Sequence, residues 1–144
     1  MIEISTIKEY EINDLAELLE ELSDMKTDIH KMHNNYKLIS ENGNYILLGA
    51  KYSNKLVGSL MGIICHDLVG DCKPFIVVEN VIVSSIYRGK GIGKLLMIEI
   101  EKIAKERDCY YAMFISGFQR TDAHKFYESI GYKQDTVKGF KKYL

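Results

Sequence analysis

The residues best suited to chemistry in this chain form one contiguous stretch, Val81-Ile82-Val83-Ser84-Ser85-Ile86-Tyr87-Arg88-Gly89-Lys90-Gly91-Ile92-Gly93. An apolar run that reads as a buried strand passes into a glycine-rich loop. The loop passes directly into a helical pattern. Gly89, Gly91 and Gly93 stand at alternate positions, where they permit positive φ and let successive N–H groups turn toward one point. The start of the helix adds unpaired N–H groups and the positive end of its dipole. Arg88, Lys90 and Lys94 bring formal positive charge to the same place. The chemistry this predicts is capture of a phosphate or pyrophosphate. The spacing is not the Gly-x-x-x-x-Gly-Lys-Ser/Thr of a nucleotide triphosphatase. Nor is it Gly-x-Gly-x-x-Gly followed by an acid that would hold a ribose.

The loop does fit Arg/Gln-x-x-Gly-x-Gly/Ala, and it is followed later by Ala123-His124-Lys125-Phe126-Tyr127-Glu128 before Gly131-Tyr132. With these elements residues 79 to 132 resemble the acetyl-CoA-binding core of the Gcn5-related N-acetyltransferase (GNAT) superfamily. The resemblance implies that the main-chain groups of Arg88, Gly89, Lys90, Gly91, Ile92, Gly93 and Lys94 bind the pyrophosphate of coenzyme A. It implies that Val81, Ile82 and Val83 hold the pantetheine arm in the manner of an added strand. Phe126 and Tyr127 lie against the cofactor, and Tyr127 protonates the departing thiolate, a role a phenol can fill as charge develops on sulfur. An amide N–H of the Val81–Ile82 region would stabilise the oxyanion.

An acceptor amine arrives as an ammonium and must lose a proton before attack. Glu79 is the candidate base. It is an isolated carboxylate in the apolar run Phe75 to Val83, two residues from Val81 and so expected on the same strand face. Apolar surroundings there favour its neutral form. Glu79-Asn80 resembles the Glu-Asp pair of aminosugar-phosphate acetyltransferases, where those residues face the acceptor, although Asn80 lacks the second charge. The run Arg120 to Tyr127 and the tail Gly139 to Leu144 resemble aminoalkylphosphonate acetyltransferases. The expected activity is transfer of an acetyl group from acetyl-CoA to a primary amine, a small molecule, by direct attack in a ternary complex. The alternatives are a non-catalytic acyl-CoA-binding or sensor domain of the same fold, or a protein N-terminal or lysine acetyltransferase.

These residues need a scaffold, and the rest of the chain is patterned to supply one. Ile2 to Ile7 reads as a strand. Ile12, Leu15, Ala16 and Leu19 share a helical face, as do Ile29, Met32, His33 and Tyr36. Glu41 to Asn44 is a turn. Tyr45 to Lys51, Leu56 to Cys65 and Phe75 to Val83 are strands, the first two joined as a hairpin through Ser53-Asn54-Lys55. Lys94 to Arg107 returns to helix, with Leu96, Ile100, Ile103 and Ala104 as its stripe. A strand follows over Tyr110 to Ile115. A short helix through Ala123 and Ile130 is stopped by Gly131. Two last strands, Tyr132 to Val137 and Phe140 to Tyr143, complete the expectation. The fold class is α/β (α+β), one mixed, mostly antiparallel sheet of six to seven strands flanked by about four helices.

Composition bounds the rest. The 144 residues, with one proline and no Ser/Gly-rich linker, suit a single N-acetyltransferase domain over 1–144. Nineteen basic against twenty acidic residues leave a net charge of -1, which gives no global field for nucleic acid or an anionic membrane. No run spans a bilayer, and Met1-Ile2-Glu3-Ile4 is no signal peptide. Cys65, Cys72 and Cys109 are expected as reduced thiols of the cytoplasm. His30 and His33 lack a third ligand, and Cys65-His66-Asp67 with Cys72 has the wrong spacing for zinc, so no metal is expected. A homodimer paired through Phe140 to Leu144 is expected.

Overall fold

The computed structural model describes residues 1–144. Residues 1–113 form one unit and residues 114–144 another. In the first, β1 (Ile2–Thr6), α1 (Ile12–Ser23), α2 (Ile29–Glu41), β2 (Tyr45–Tyr52), β3 (Lys55–Cys65), β4 (Phe75–Val83), α3 (Ile92–Glu106) and β5 (Ala112–Met113) follow in chain order. The sheet runs β1-β2-β3-β4-β5 in space. It is antiparallel through β4, and β5 joins it in parallel.

Local chemistry accounts for most of these elements. Ile12, Leu15, Ala16 and Leu18 are the buried stripe of α1. Ile12, Leu15 and Leu18 pack in one cluster with Ile7, Leu56 and Ile82. Asp28 caps α2 by accepting from the Lys31 N–H at 3.1 Å. No residue of α2 is fully buried. Met32 and Tyr36 anchor it to the same cluster, and the Tyr36 hydroxyl donates to the Ile7 carbonyl at 3.0 Å. Ser53 and Asn54 take φ of 49° and 64°, the left-handed pair that a two-residue hairpin demands. On the opposite side of the sheet α3 lies close over β3 because Gly62 has no side chain. A Cβ there would meet Ile100 Cδ1 at 2.6 Å.

One local irregularity has a long reach. Asn80 adopts φ 55° in the middle of β4. The register shifts there, from Met61 opposite Glu79 to Ser59 opposite Ile82. The extra residue is a bulge, and it reverses which side chains face which helices beyond it. Ile82, not Val81, returns to the α1 side. The expectation that Glu79 and Val81 share a face is therefore corrected, because it assumed an unbroken alternation.

In the second unit α4 (Thr121–Ser129) is the one regular element. Gly131, at φ 100°, ends it. The Gly131 N–H donates to the Glu128 carbonyl and the Tyr132 N–H to the Tyr127 carbonyl, at 3.1 and 3.0 Å, which together make a Schellman motif.

The sheet has five strands, not six to seven. The expected strands Tyr132 to Val137 and Phe140 to Tyr143 do not form. Lys133 to Thr136 are four polar residues in succession, which breaks the alternation a half-buried strand requires. A two-stranded terminal hairpin is at best marginally stable alone. The expected strand Tyr110 to Ile115 shrinks to Ala112–Met113. Its pairing with β4 is extended by the Ile76 N–H to the Tyr111 carbonyl at 3.0 Å.

Candidate functional site

The glycine-rich loop folds as an amide nest. Gly89 and Gly91 take φ of 75° and 77°. Only glycine adopts this region freely, and neither position has an atom within 4 Å of where a Cβ would stand. Gly91 is the N-cap of α3 and carries no side chain to cap it. The first bond along the helix is from the Leu95 N–H to the Gly91 carbonyl, at 3.1 Å. The N–H groups of Ile92, Gly93 and Lys94 precede it and have no helical acceptor. No acidic residue lies in that first turn. Helix α3 begins at Ile92 rather than Lys94, so Gly93 is helical and does not take positive φ. Two left-handed glycines shape the nest, not three.

The Arg88 side chain has partners of its own. It is held within the protein: its Nε donates to the Val83 carbonyl at 2.9 Å and its Nη2 to Glu21 Oε1 at 3.0 Å. The same carboxylate oxygen accepts the Ser85 N–H at 2.9 Å. Glu21, on α1, thereby offsets the charge of Arg88 and ties the end of β4 to the helix. The remaining cations near the nest are Lys94, exposed, and Lys90, whose Nζ lies 5.2 Å over the Tyr87 ring. The sequence carried no sign of Glu21, because its partner stands 67 residues away.

Beside the nest, β4 has an open edge. β5 pairs with it only at Ile76 and Val77, so Val81, Ile82 and Val83 have no strand on that side. Open backbone there suits an extended ligand arm.

On the α1 face, α1, α2 and the sheet enclose a groove of about 360 Å³, within the size range of small-molecule sites. Leu15, Leu19, Met32, Leu47 and Met61 line it, and Asn80 reaches it from the bulge. Glu79 is half-buried on the same side of the sheet, opposite Met61. The groove draws on five elements, and nothing local in the sequence pointed to it.

In the second unit Tyr127 is 7% exposed. Its ring centroid lies 4.3 Å from that of Phe114 and 5.2 Å from that of Phe126, with Tyr132 edge-on at 6.5 Å. This apolar cage pushes the phenol above its ordinary value, while the Arg120 guanidinium pulls the other way. Such a phenol holds its proton firmly. No three His, Cys, Asp or Glu side chains are gathered as a metal ion would require. No helix is long and apolar enough to cross a membrane.

A mixed sheet with an amide nest at a helix start makes this an α/β fold with a backbone geometry suited to an anion. A model of the Acetyltransferase (GNAT) family matches residues 12–132, and the chain belongs to that family. Among curated proteins it is 33% identical over 79 residues to a Drosophila melanogaster protein named "Probable glucosamine 6-phosphate N-acetyltransferase". That match covers 55% of this chain and 35% of the relative's length. Among solved structures, a transcriptional regulator from Bacillus halodurans C-125 superposes with a TM-score of 0.93 at 24% identity, covering 100% of both chains. Glucosamine-6-phosphate N-acetyltransferase from Arabidopsis thaliana gives 0.88 at 18% identity, covering 100% of this chain and 99% of that one. At these identities the likeness is one of fold.

Proposed function

We propose that residues 1–144 act as one domain that transfers an acetyl group from acetyl-CoA to a small primary amine. The observation that carries this reading is the amide nest formed by Gly89, Gly91 and the first turn of α3, opening beside the free edge of β4. The fit to a pyrophosphate lies in those two left-handed glycines, since a Cβ at either would strain the cradle. Acetyl-CoA supplies the activated acyl group. The nest amides and Lys94 hold the diphosphate. Val81 to Val83 line the pantetheine arm with their backbone, the Val83 carbonyl already accepting from the Arg88 Nε, and an N–H of the Val81–Ile82 region donates to the oxygen that gains charge.

Asn80 positions the amine at the mouth of the groove, and Glu79, on the groove's side of the sheet, takes its proton. Tyr127, with Phe126 beside it, donates its proton to the sulfur as the thiolate departs. A phenol raised by burial keeps that proton available across neutral pH. Both proton transfers are made by side chains, and the ternary complex needs no acyl-enzyme. The enzyme works in the cytoplasm, as a homodimer paired through the exposed residues Phe140 to Leu144.

Release of free thiol from acetyl-CoA across a panel of amines tests the reading. Amine-dependent release, with one coenzyme A bound per chain by calorimetry, is the expected result. Binding of coenzyme A with no thiol released for any amine would favour the sensor alternative.

A further inference from the structure

Resting on the reading of the α1–α2 groove as the acceptor site, we infer that the acceptor is a primary amine carried on an unphosphorylated apolar body, aromatic or branched aliphatic. An aminosugar phosphate does not fit the same walls.

The groove offers a phosphate one cation, and that one faces a carboxylate. Lys31 is its one basic residue. Its Nζ stands 3.8 Å from Asp28 Oδ2 with the side chain 82% exposed. The other oxygen of Asp28 caps α2. A phosphate monoester carries a charge of about −1.5 to −2 near neutral pH. In this groove it would lose water and meet a helix start already capped by Asp28, with Lys31 facing that same carboxylate. The amide nest is no substitute, since it is already assigned to the diphosphate of acetyl-CoA.

Four uncharged polar side chains, Thr27, Asn35, Ser59 and Asn80, share the lining with eight aliphatic ones. The one phenol that lines the groove, Tyr36, has its hydroxyl donated to the Ile7 carbonyl at 3.0 Å. It therefore presents its ring. Leu19 and Met32 face the groove from the two helices, and Leu47 and Met61 form the floor. Burial of an apolar body on such walls contributes about 25 cal/mol for each Å² removed from water.

Asp28, the carboxylate that lines the groove, is engaged by the Lys31 N–H and ammonium, which leaves the amine to Glu79. The carboxylate on the groove's side of the sheet at β4 is Glu79, next to Asn80. An ammonium directed there places the apolar body between α1 and α2.

The test is thiol-release kinetics with phenethylamine, isoamylamine and glucosamine 6-phosphate. The expected kcat/KM is at least about tenfold higher for the two apolar amines. Met32→Lys, on a helix with no fully buried residue, should raise the phenethylamine KM about tenfold and leave the acetyl-CoA KM unchanged. Met32→Leu should restore it. A preference for glucosamine 6-phosphate, or a phenethylamine KM indifferent to Met32→Lys, overturns the inference while the acetyltransferase reading stands. If no amine is acetylated, saturation-transfer NMR of phenethylamine on the coenzyme A-bound protein decides the matter. Binding lost in Met32→Lys supports the groove's preference and rejects the transferase reading. No binding overturns the inference as well.

Discussion

The amide nest at the start of α3 and the groove between α1 and α2 are built in opposite ways. The nest is backbone: seven consecutive residues, Arg88 to Lys94, supply it, and its shape depends on φ at Gly89 and Gly91. The groove is side chain: residues from Ile12 to Asn80 converge on it from two helices and three strands. A site made of amides binds whatever carries the right charge and is indifferent to most neighbouring side chains. A site made of side chains is retuned by each substitution. On the proposed reading, the division suits a protein whose donor is constant and whose acceptor is its own.

The largest expected effect lies outside both regions and separates chemistry from binding. Tyr127→Phe should lower kcat by a factor of about 10² to 10⁴, the range for loss of a general acid. Acetyl-CoA affinity measured by calorimetry should stay near wild type. Because burial raises the Tyr127 phenol, the acid form persists to higher pH, and the alkaline fall in wild-type kcat should come above the ordinary phenol value of about 10. Wild-type turnover in the mutant would leave Tyr127 as a packed aromatic among Phe114, Phe126 and Tyr132.

Next comes the proposed base. Glu79→Gln keeps the shape but takes no proton, and kcat should fall by about 10² with acetyl-CoA affinity unchanged. Part of the loss should return at high pH, where more of the amine is already free. A rise in amine KM with kcat intact would instead mean that Glu79 only holds the ammonium.

The comparison itself is tested most directly at Gly91. A β-branched residue at φ 77° carries strain of about 1–3 kcal/mol, equivalent to roughly 5- to 150-fold in affinity. Gly91→Val should weaken acetyl-CoA by that factor and leave the ranking of amines unchanged. A changed amine ranking would show that the two regions are not independent.

The smallest effect tests the polar tie between α1 and the loop that follows β4. Glu21→Ala removes the acceptor shared by the Arg88 Nη2 and the Ser85 N–H. Both side chains of the ion pair are partly exposed, 56% for Arg88 and 33% for Glu21, so the attraction is screened. Acetyl-CoA affinity should fall about two- to fivefold. No change in the titration would mean that the nest holds its shape from its glycines alone.

Features that depend on neighbours along the chain could be read from residue order. The glycine nest, the apolar stripe of α1, the Ser53-Asn54 hairpin and the Gly131 stop of α4 were all legible. Each is set by φ preferences or by a helical period over a few residues. The resemblance to acetyltransferases rested on the same kind of local signal. Tertiary structure alone decided the bulge at Asn80, which turned Val81 off the face of Glu79. Bulge position is a matter of register against β3, and an asparagine in an apolar run is only a faint sign of it. Likewise only the folded chain paired Arg88 with Glu21, assembled the α1–α2 groove and left residues after Tyr132 without a strand. Those outcomes depend on partners far away in sequence or on the absence of a neighbouring strand to share the hydrogen bonds, and no local pattern encodes either.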